Sequence, residues 1–185
     1  IVDEKDGTPW PMEWTARPGW PMWNIMQPLM DNDDPAEWML EVVKGNSQAF
    51  KAKEGTCVGV VMANSDFPFN KKDEEDYLDF PILTDDVPED RIDNLHPCEI
   101  KLSETMKMID GKLIEKVPEW GTAGSYILVC TGTGKTVTEA KDSAYELVKM
   151  VKLGNDPQYR TDIGVRCEKA LKKLHKFGFC KGWKY

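Results

Sequence analysis

Two short β-branched runs limit what this 185-residue chain can build. One is Val58-Gly-Val-Val-Met-Ala63, within Gly55–Ala63; the other is Ser125–Cys130. Apolar runs of this length, closed by glycine or polar residues, read as buried strands. Both fall far short of the roughly 20 apolar residues of a membrane span. The second run leads through Thr131-Gly-Thr-Gly-Lys-Thr136 into a helical pattern, with Ala140, Ala144, Leu147, Val148 and Val151 on one face. Thr136 and Glu139 form a Thr-x-x-Glu capping box at its start, and Asn155-Asp-Pro closes it. A buried strand that hands over to a capped amphipathic helix is a framework for an α+β fold.

Other elements follow from local signals. Asp110-Gly111 predicts a hairpin joining Met106–Ile109 to Lys112–Glu115, with a further short strand near Pro97–Leu102. Asp34 suits an N-cap and Pro35 the first helical position. Trp38, Met39, Val42 and Val43 then repeat at helical spacing up to Gly45-Asn46, which predicts a core-packing helix. Cys167–Lys176 predicts another helix, with Ala170, Leu171 and Leu174 apolar. In the stretch 73–93, ten of 21 residues are acidic. It lacks the acidic spacing and the turn glycine of a Ca²⁺ loop, so it reads as a solvated loop.

The chain has 24 Lys and Arg against 32 Asp and Glu, a net charge of −8. That balance argues against general nucleic-acid binding. From Val165 to Tyr185 there are seven basic residues and one acid, Glu168, so the tail carries +6 and the rest −14. A solvated helix face docked on an acidic body accounts for the tail; contact with a phosphate or an acidic partner is the other reading. The five cysteines are widely spaced without a Cys-x-x-Cys pair, which points to neither disulfides nor zinc but to a reducing, cytoplasmic setting. Cys57 and Cys130 read as small core residues. His96 and His175 read as surface residues and leave little scope for histidine catalysis.

Two stretches bear on chemistry. After an Asp6-Gly7 turn, Trp10–Arg17 alternates: Met12, Trp14 and Ala16 against Glu13, Thr15 and Arg17. In a strand these sets lie on opposite faces. The polar set, a carboxylate, a hydroxyl and a guanidinium in a row, is either a ligand-holding face or a solvated one. Pro18-Gly19-Trp20-Pro21 ends the strand. The second stretch, Thr131-Gly-Thr-Gly-Lys-Thr136, looks like a phosphate-binding loop but fails the spacing. Gly-x-x-x-x-Gly-Lys-Thr requires a glycine where Val129 stands, so the loop is too short to wrap phosphates.

Several stretches, in order, resemble the C-terminal half of phosphoribosylamine–glycine ligase, an ATP-grasp enzyme of purine biosynthesis. Met12–Pro21 resembles that family's Glu-Phe-Asn-x-Arg-Phe-Gly-Asp-Pro-Glu strand and loop. Gly59–Ala63 with Phe67-Pro68 resembles its Gly-Val-Val-Met-Ala and Gly-Tyr-Pro. Gly132-x-x-x-Thr136-Val-x-Glu-Ala140, Ala144-Tyr145 and Tyr159-Arg-Thr-Asp-Ile-Gly164 resemble its later motifs. The colinear match covers roughly residues 1–65 and 118–170, and the middle, 70–117, shows none.

The resemblance implies roles. Glu13 and Thr15 would ligate Mg²⁺ (or Mn²⁺) on the phosphates of ATP, with Thr15 where the family has Asn. Arg17 would be the catalytic residue, pairing with phosphate or carboxylate, and Gly19 would join Glu13, Thr15 and Arg17 in binding the cofactor. The family's acidic pair around the loop proline is Trp20 and Met22 here, and its Gly-Gly-Arg is Ala123-Gly124-Ser125.

The implied fold is α+β. Residues 1–50 end an ATP-grasp domain. Residues 55–170 form the ligase's C-terminal domain of mostly antiparallel sheet with packed helices. Residues 171–185 form a basic tail. The implied partners are ATP, small-molecule substrates and a missing N-terminal half, with no nucleic acid and no membrane. The chain begins Ile1-Val2-Asp3, so it is expected to be the C-terminal portion of a longer carbon–nitrogen ligase, inactive alone. Rival readings are a binding or scaffold module that kept the fold without the chemistry, and an acidic regulatory protein.

Overall fold

A computed structural model describes residues 1–31, 35–46, 51–65, 67–68 and 78–184. In chain order the elements are α1 (Met22–Met26), α2 (Pro35–Val43), β1 (Thr56–Ala63), β2 (Pro81–Leu83), β3 (Leu95–Pro97), β4 (Ile100–Ile109), β5 (Lys112–Thr122), β6 (Tyr126–Gly134), α3 (Val137–Met150), β7 (Lys152–Leu153) and α4 (Val165–Lys176). Short 3-10 turns occupy Gln27–Leu29 and Glu89–Asn94. Among the described residues the strands form two sheets, ordered β1-β6-β3 and β4-β5-β2-β7. β3 runs antiparallel to β6, and every pairing of the second sheet is antiparallel. The fold is α+β, as the sequence indicates. No helix among the described residues is long and apolar enough to cross a membrane.

The two apolar runs do become strands, and they hold the core. Val60 and Met62 of β1 are buried, as are Ile127, Leu128, Val129 and Cys130 of β6. β6 runs further than the apolar pattern suggests. Thr131 to Gly134 are its last residues rather than a loop, which removes any phosphate-wrapping geometry there. Helix α3 follows at once. The Glu139 N–H donates to Thr136 Oγ1 (3.1 Å), while Glu139 Oε2 accepts from the Lys135 N–H (2.7 Å), one residue earlier than in a standard capping box. Gly134 makes this close turn possible, since a Cβ there would lie 2.5 Å from Glu139 Cβ and 2.7 Å from the Ala140 nitrogen. The predicted α3 face is buried, but the helix ends at Met150, and the following residues pair as β7 instead of reaching Asn155.

By compactness the chain divides into two units: residues 1–59 with 131–143 and 162–185, and residues 60–130 with 144–161. The sequence boundaries at 50, 55 and 170 concern kinship with the ligase, a different matter from compactness.

In the first unit, residues 1–10 form a closed bracket. Val2 bridges to Pro9, and Ile1 and Trp10 exchange backbone hydrogen bonds (2.9 and 2.8 Å). Gly7, at φ +81°, lies against the Phe177 ring, which leaves no room for a Cβ. The basic tail becomes α4, with Leu171 buried. Two ion pairs tie it to acidic and basic neighbours: Lys173–Glu4 (2.8 Å) and Glu168–Lys141 (3.0 Å). Helix α2 ends at Gly45 in a Schellman pattern: the Gly45 N–H donates to Val42 O, and that of Asn46 to Glu41 O, both at 3.1 Å. The proposed cap Asp34 lies outside the described residues. The expected core role of α2 does not hold. Met39, Val42 and Val43 of the predicted face, with Leu40, are 42–83% exposed, while Trp38 is partly buried.

In the second unit, β4 and β5 form the predicted hairpin around Asp110-Gly111, both at positive φ, but it is longer than the turn signal indicates. Its polarity is reversed relative to an ordinary half-buried ribbon. Lys101, Ser103 and Lys107, on one face, are engaged by acidic residues. Asp79 accepts from Lys101 and Ser103 (both 2.9 Å), and Lys107 pairs with Glu119 and, at 3.4 Å, with Asp85. The Lys101 ammonium, then the Ser103 hydroxyl, hold the Asp79 carboxyl below the usual carboxylate range. Leu102, Met106, Met108, Leu113 and Trp120 are exposed on the other face.

The acidic stretch is therefore not simply a solvated loop. Asp79, Asp85 and Asp86 pair with Lys101, Lys107 and Lys152, and residues 81–83 form a strand; residues 73–77 lie outside the description. His96 is also corrected: β3 carries it into the first sheet opposite Val129, where it is buried, and desolvation lowers its pKa. His175 is partly buried, its Nε2 2.9 Å from the Cys180 carbonyl.

Two measurements check this packing. Leu147 is fully buried, so Leu147→Ala is expected to cost about 2–5 kcal/mol in urea unfolding; a loss below about 1 kcal/mol would mean the core is misplaced. Burial pushes the Cys57 and Cys130 thiols up to about 12, whereas Cys180 is exposed. Iodoacetamide at pH 8 is expected to label Cys180 first and leave Cys57 and Cys130 unlabelled in the folded chain, as read by peptide mass.

Candidate functional site

The segment that carries the proposed ligands leaves the bracket at Trp10. Residues 11–18 form no strand, contrary to the alternation, because no neighbouring chain among the described residues offers them a ladder. The expected apolar face is in solvent: Met12 is 74% and Trp14 94% exposed. The local alternation nonetheless brings Glu13 and Thr15 to one side. Thr15 Oγ1 lies within hydrogen-bonding range of Glu13 Oε1, at 3.5 Å. Arg17 turns back on the next residue, its Nη1 donating to the Pro18 carbonyl (3.4 Å), and it lies over Gly19, where a Cβ would stand 3.6 Å from that nitrogen. The four residues thus form two pairs, Glu13 with Thr15 and Arg17 with Gly19. From Gly19 the chain enters α1, the Gly19 carbonyl accepting from the Trp23 N–H (3.2 Å). Trp20 and Met22, which replace the acidic pair of the ligase family, are about half exposed.

The donor set fits part of a magnesium site. Mg²⁺ takes oxygen ligands and commonly binds through one or two carboxylates, with water and substrate phosphates completing the shell. Glu13 and Thr15 supply one carboxylate and one hydroxyl. No group of three or more His, Cys, Asp or Glu side chains among the described residues is placed to hold a metal by itself.

A polar cluster that sequence reasoning missed lies in the second unit. Asn64, which directly follows β1, is fully buried. Its Nδ2 donates to the Gly124 carbonyl (2.5 Å), its Oδ1 accepts from Asn155 Nδ2 (2.9 Å), and its backbone N–H donates to Ser125 O (2.9 Å). Asn155 Oδ1 is buried without a partner among the described residues. The sequence marks Asn64 as a loop residue and Asn155 as a helix stop; only the fold brings them together, 91 positions apart. The neighbouring ligase-like stretches meet here too. The Phe67 ring packs at 4.5 Å on Tyr126, Ala63 and Gln158 exchange backbone hydrogen bonds, and the Tyr145 hydroxyl donates to Arg160 O (2.7 Å).

Comparison with known proteins bears on this arrangement. No family model matches the chain. Its fold is similar to that of phosphoribosylamine–glycine ligase from Thermotoga maritima, with a TM-score of 0.58 and 25% identity over 85% of this chain. The matched part is 34% of that enzyme, so the chain spans about a third of its length. The fold class expected from the sequence is that of a ligase C-terminal domain, and the resemblance holds at the level of the fold.

The Asn64 cluster gives a direct test of the packing beside these stretches. Asn64→Ala leaves the Gly124 carbonyl and Asn155 Nδ2 without their partner, so it is expected to cost about 1–3 kcal/mol in chemical denaturation. A neutral result would show that the network carries no stability.

Proposed function

We propose that this chain is the C-terminal part of an ATP-dependent carbon–nitrogen ligase related to phosphoribosylamine–glycine ligase. The observation that carries the reading is the fold likeness over 85% of the chain, combined with motifs that run in the same order along the sequence. The division at 50, 55 and 170 belongs to this proposal, as does the purine-pathway substrate class.

Glu13 and Thr15 fit as oxygen ligands to a divalent ion on ATP. Such an ion, when bound, offsets charge on the phosphoryl group being transferred. Arg17 supplies a guanidinium whose fork suits phosphate or carboxylate. The exposed Trp10, Met12 and Trp14, and the uncovered α2 residues, give the first unit the apolar surface that the remainder of an ATP-grasp ligase would cover. Ordering residues 11–18 as a strand would then be a consequence of that partner supplying a ladder.

A scaffold role is the second reading. It is favoured by the departures at Thr15, Trp20 and Met22 and by the exposure of the whole 10–17 segment.

The decisive assay follows ADP formation dependent on an amino acid and an amine, using the protein as its source makes it. The enzyme reading expects Glu13→Ala to lower kcat by more than about 100-fold, since a metal interaction is worth several kcal/mol in the transition state. Unchanged turnover in that variant, or no turnover with any tested pair, would favour the scaffold. The 185-residue chain alone is expected to bind Mg-ATP more weakly than about 100 μM; calorimetry showing micromolar affinity would overturn the assignment of the missing phosphate contacts to another part of the ligase.

A further inference from the structure

Three separate stretches of the first unit meet around a cleft of about 740 Å³: residues 52–56, Lys135 and residues 182–184. Backbone groups hold each stretch in place. The Lys53 N–H donates to Leu29 O (2.7 Å), and the Lys135 N–H to Glu139 Oε2 (2.7 Å). The C-terminal stretch turns at Cys180, whose carbonyl accepts from the Trp183 N–H (2.9 Å). The Lys184 carbonyl then accepts from Val137 N–H (3.3 Å), the first residue of α3, so it satisfies one of the free donors of that helix. Gly55 lies against the end of β6, where a Cβ on it would stand 3.2 Å from the Gly134 carbonyl oxygen.

The lining differs in charge from the chain as a whole. Lys53, Lys135 and Lys184 face one acid, Glu54, so the cleft carries +2 in a chain of −8. None of these four side chains is held in an ion pair among the described residues. Cations gathered in a concave site focus their field on an entering anion, and three ammonium groups offer the donors that phosphate oxygens accept. Trp183 lines the same cleft and is 55% exposed. An indole face left open in this way is a platform for a planar ring. Thr56 adds a hydroxyl, and the volume falls in the range of roughly 300–1,000 Å³ usual for small-molecule sites.

We propose that this cleft binds a mononucleotide without a metal ion, the phosphate held by Lys53, Lys135 and Lys184 and the base stacked on Trp183. A bare phosphate would leave the Trp183 ring and most of the volume unused. A nucleic-acid strand would run beyond the three lysines over a chain of net charge −8, which repels it. The inference is independent of the proposed ligase activity. Glu13, Thr15, Arg17 and Gly19 do not line the cleft, and ammonium groups neutralise phosphate directly where Glu13 and Thr15 need a divalent ion to do so.

An NMR titration of the 185-residue chain with AMP, in EDTA, tests it. The Trp183 indole N–H signal, one of seven, is identified by its loss in Trp183→Phe. It is expected to shift with a Kd of about 0.5 mM. Lys53→Gln/Lys184→Gln, altered only at exposed positions, is expected to weaken binding by about tenfold or more, with an unchanged circular dichroism spectrum. Ribose phosphate, which lacks the base, is expected to bind at least about fivefold more weakly than AMP. Glu13→Ala is expected to leave the titration as it is, whatever that variant does to ligase turnover. No shift of the Trp183 signal up to about 5 mM AMP would overturn the proposal. So would a Kd untouched by the lysine substitutions, or equal binding of ribose phosphate. Binding that requires Mg²⁺ and disappears in Glu13→Ala would also overturn it, by moving the nucleotide to the Glu13–Arg17 segment.

Discussion

Strand β6 is the constraint on which the rest of the structure depends. It lies between β1 and β3, is buried from Ile127 to Gly132, and passes into α3 with only Lys135 and Thr136 between them. So short a connection leaves no freedom in how the helix departs. Gly134 has no room for a side chain, and Thr136 and Glu139 satisfy the first free backbone donors as soon as the strand ends. The same sequence that imitates a phosphate loop is therefore a mechanical joint. Its glycines and threonines serve close packing and capping, which explains why the residue types fit a phosphate loop while the spacing does not.

The second sheet is held differently. Its two long strands gain little from apolar burial and are attached through ion pairs and hydrogen bonds to the acidic stretch that precedes them. The pairs with Asp79 and Asp85 are solvent-facing and contribute little each, whereas Lys107 and Glu119 are largely covered. The consequence is a solvent-facing apolar surface on this unit, and the uncovered α2 and Trp10–Trp14 segment give the other unit one of its own.

Local signals carried much of the fold. The β-branched runs, the Asp110-Gly111 turn, the α3 capping box and the Gly45 helix end each act within a few residues, so their physics is complete in the sequence. The readings that failed all needed to know what lies opposite. Alternation at 10–17 describes a strand only where another strand supplies hydrogen bonds, and periodicity in α2 describes a buried face only where something covers it. His96 looked exposed beside a proline, yet β3 pairs with the buried β6. The candidate ligands are a mixed case: the i, i+2 spacing is enough to put Thr15 beside Glu13, but it cannot supply the remainder of a metal shell.

The sequence by itself determined the turn at Asp110-Gly111, the cap of α3, the glycine that ends α2 and the burial of the β1 and β6 runs. It did so because turns, caps and hydrophobic periodicity are short-range. Tertiary structure decided the rest: that Asn64 and Asn155 meet in a buried amide pair, that the acidic stretch clamps the hairpin's lysines, and that the hairpin's apolar side faces outward. Those outcomes join residues from about 20 to 91 positions apart, and at such separations only the folded chain fixes which polar group finds its partner and which apolar face is left without one.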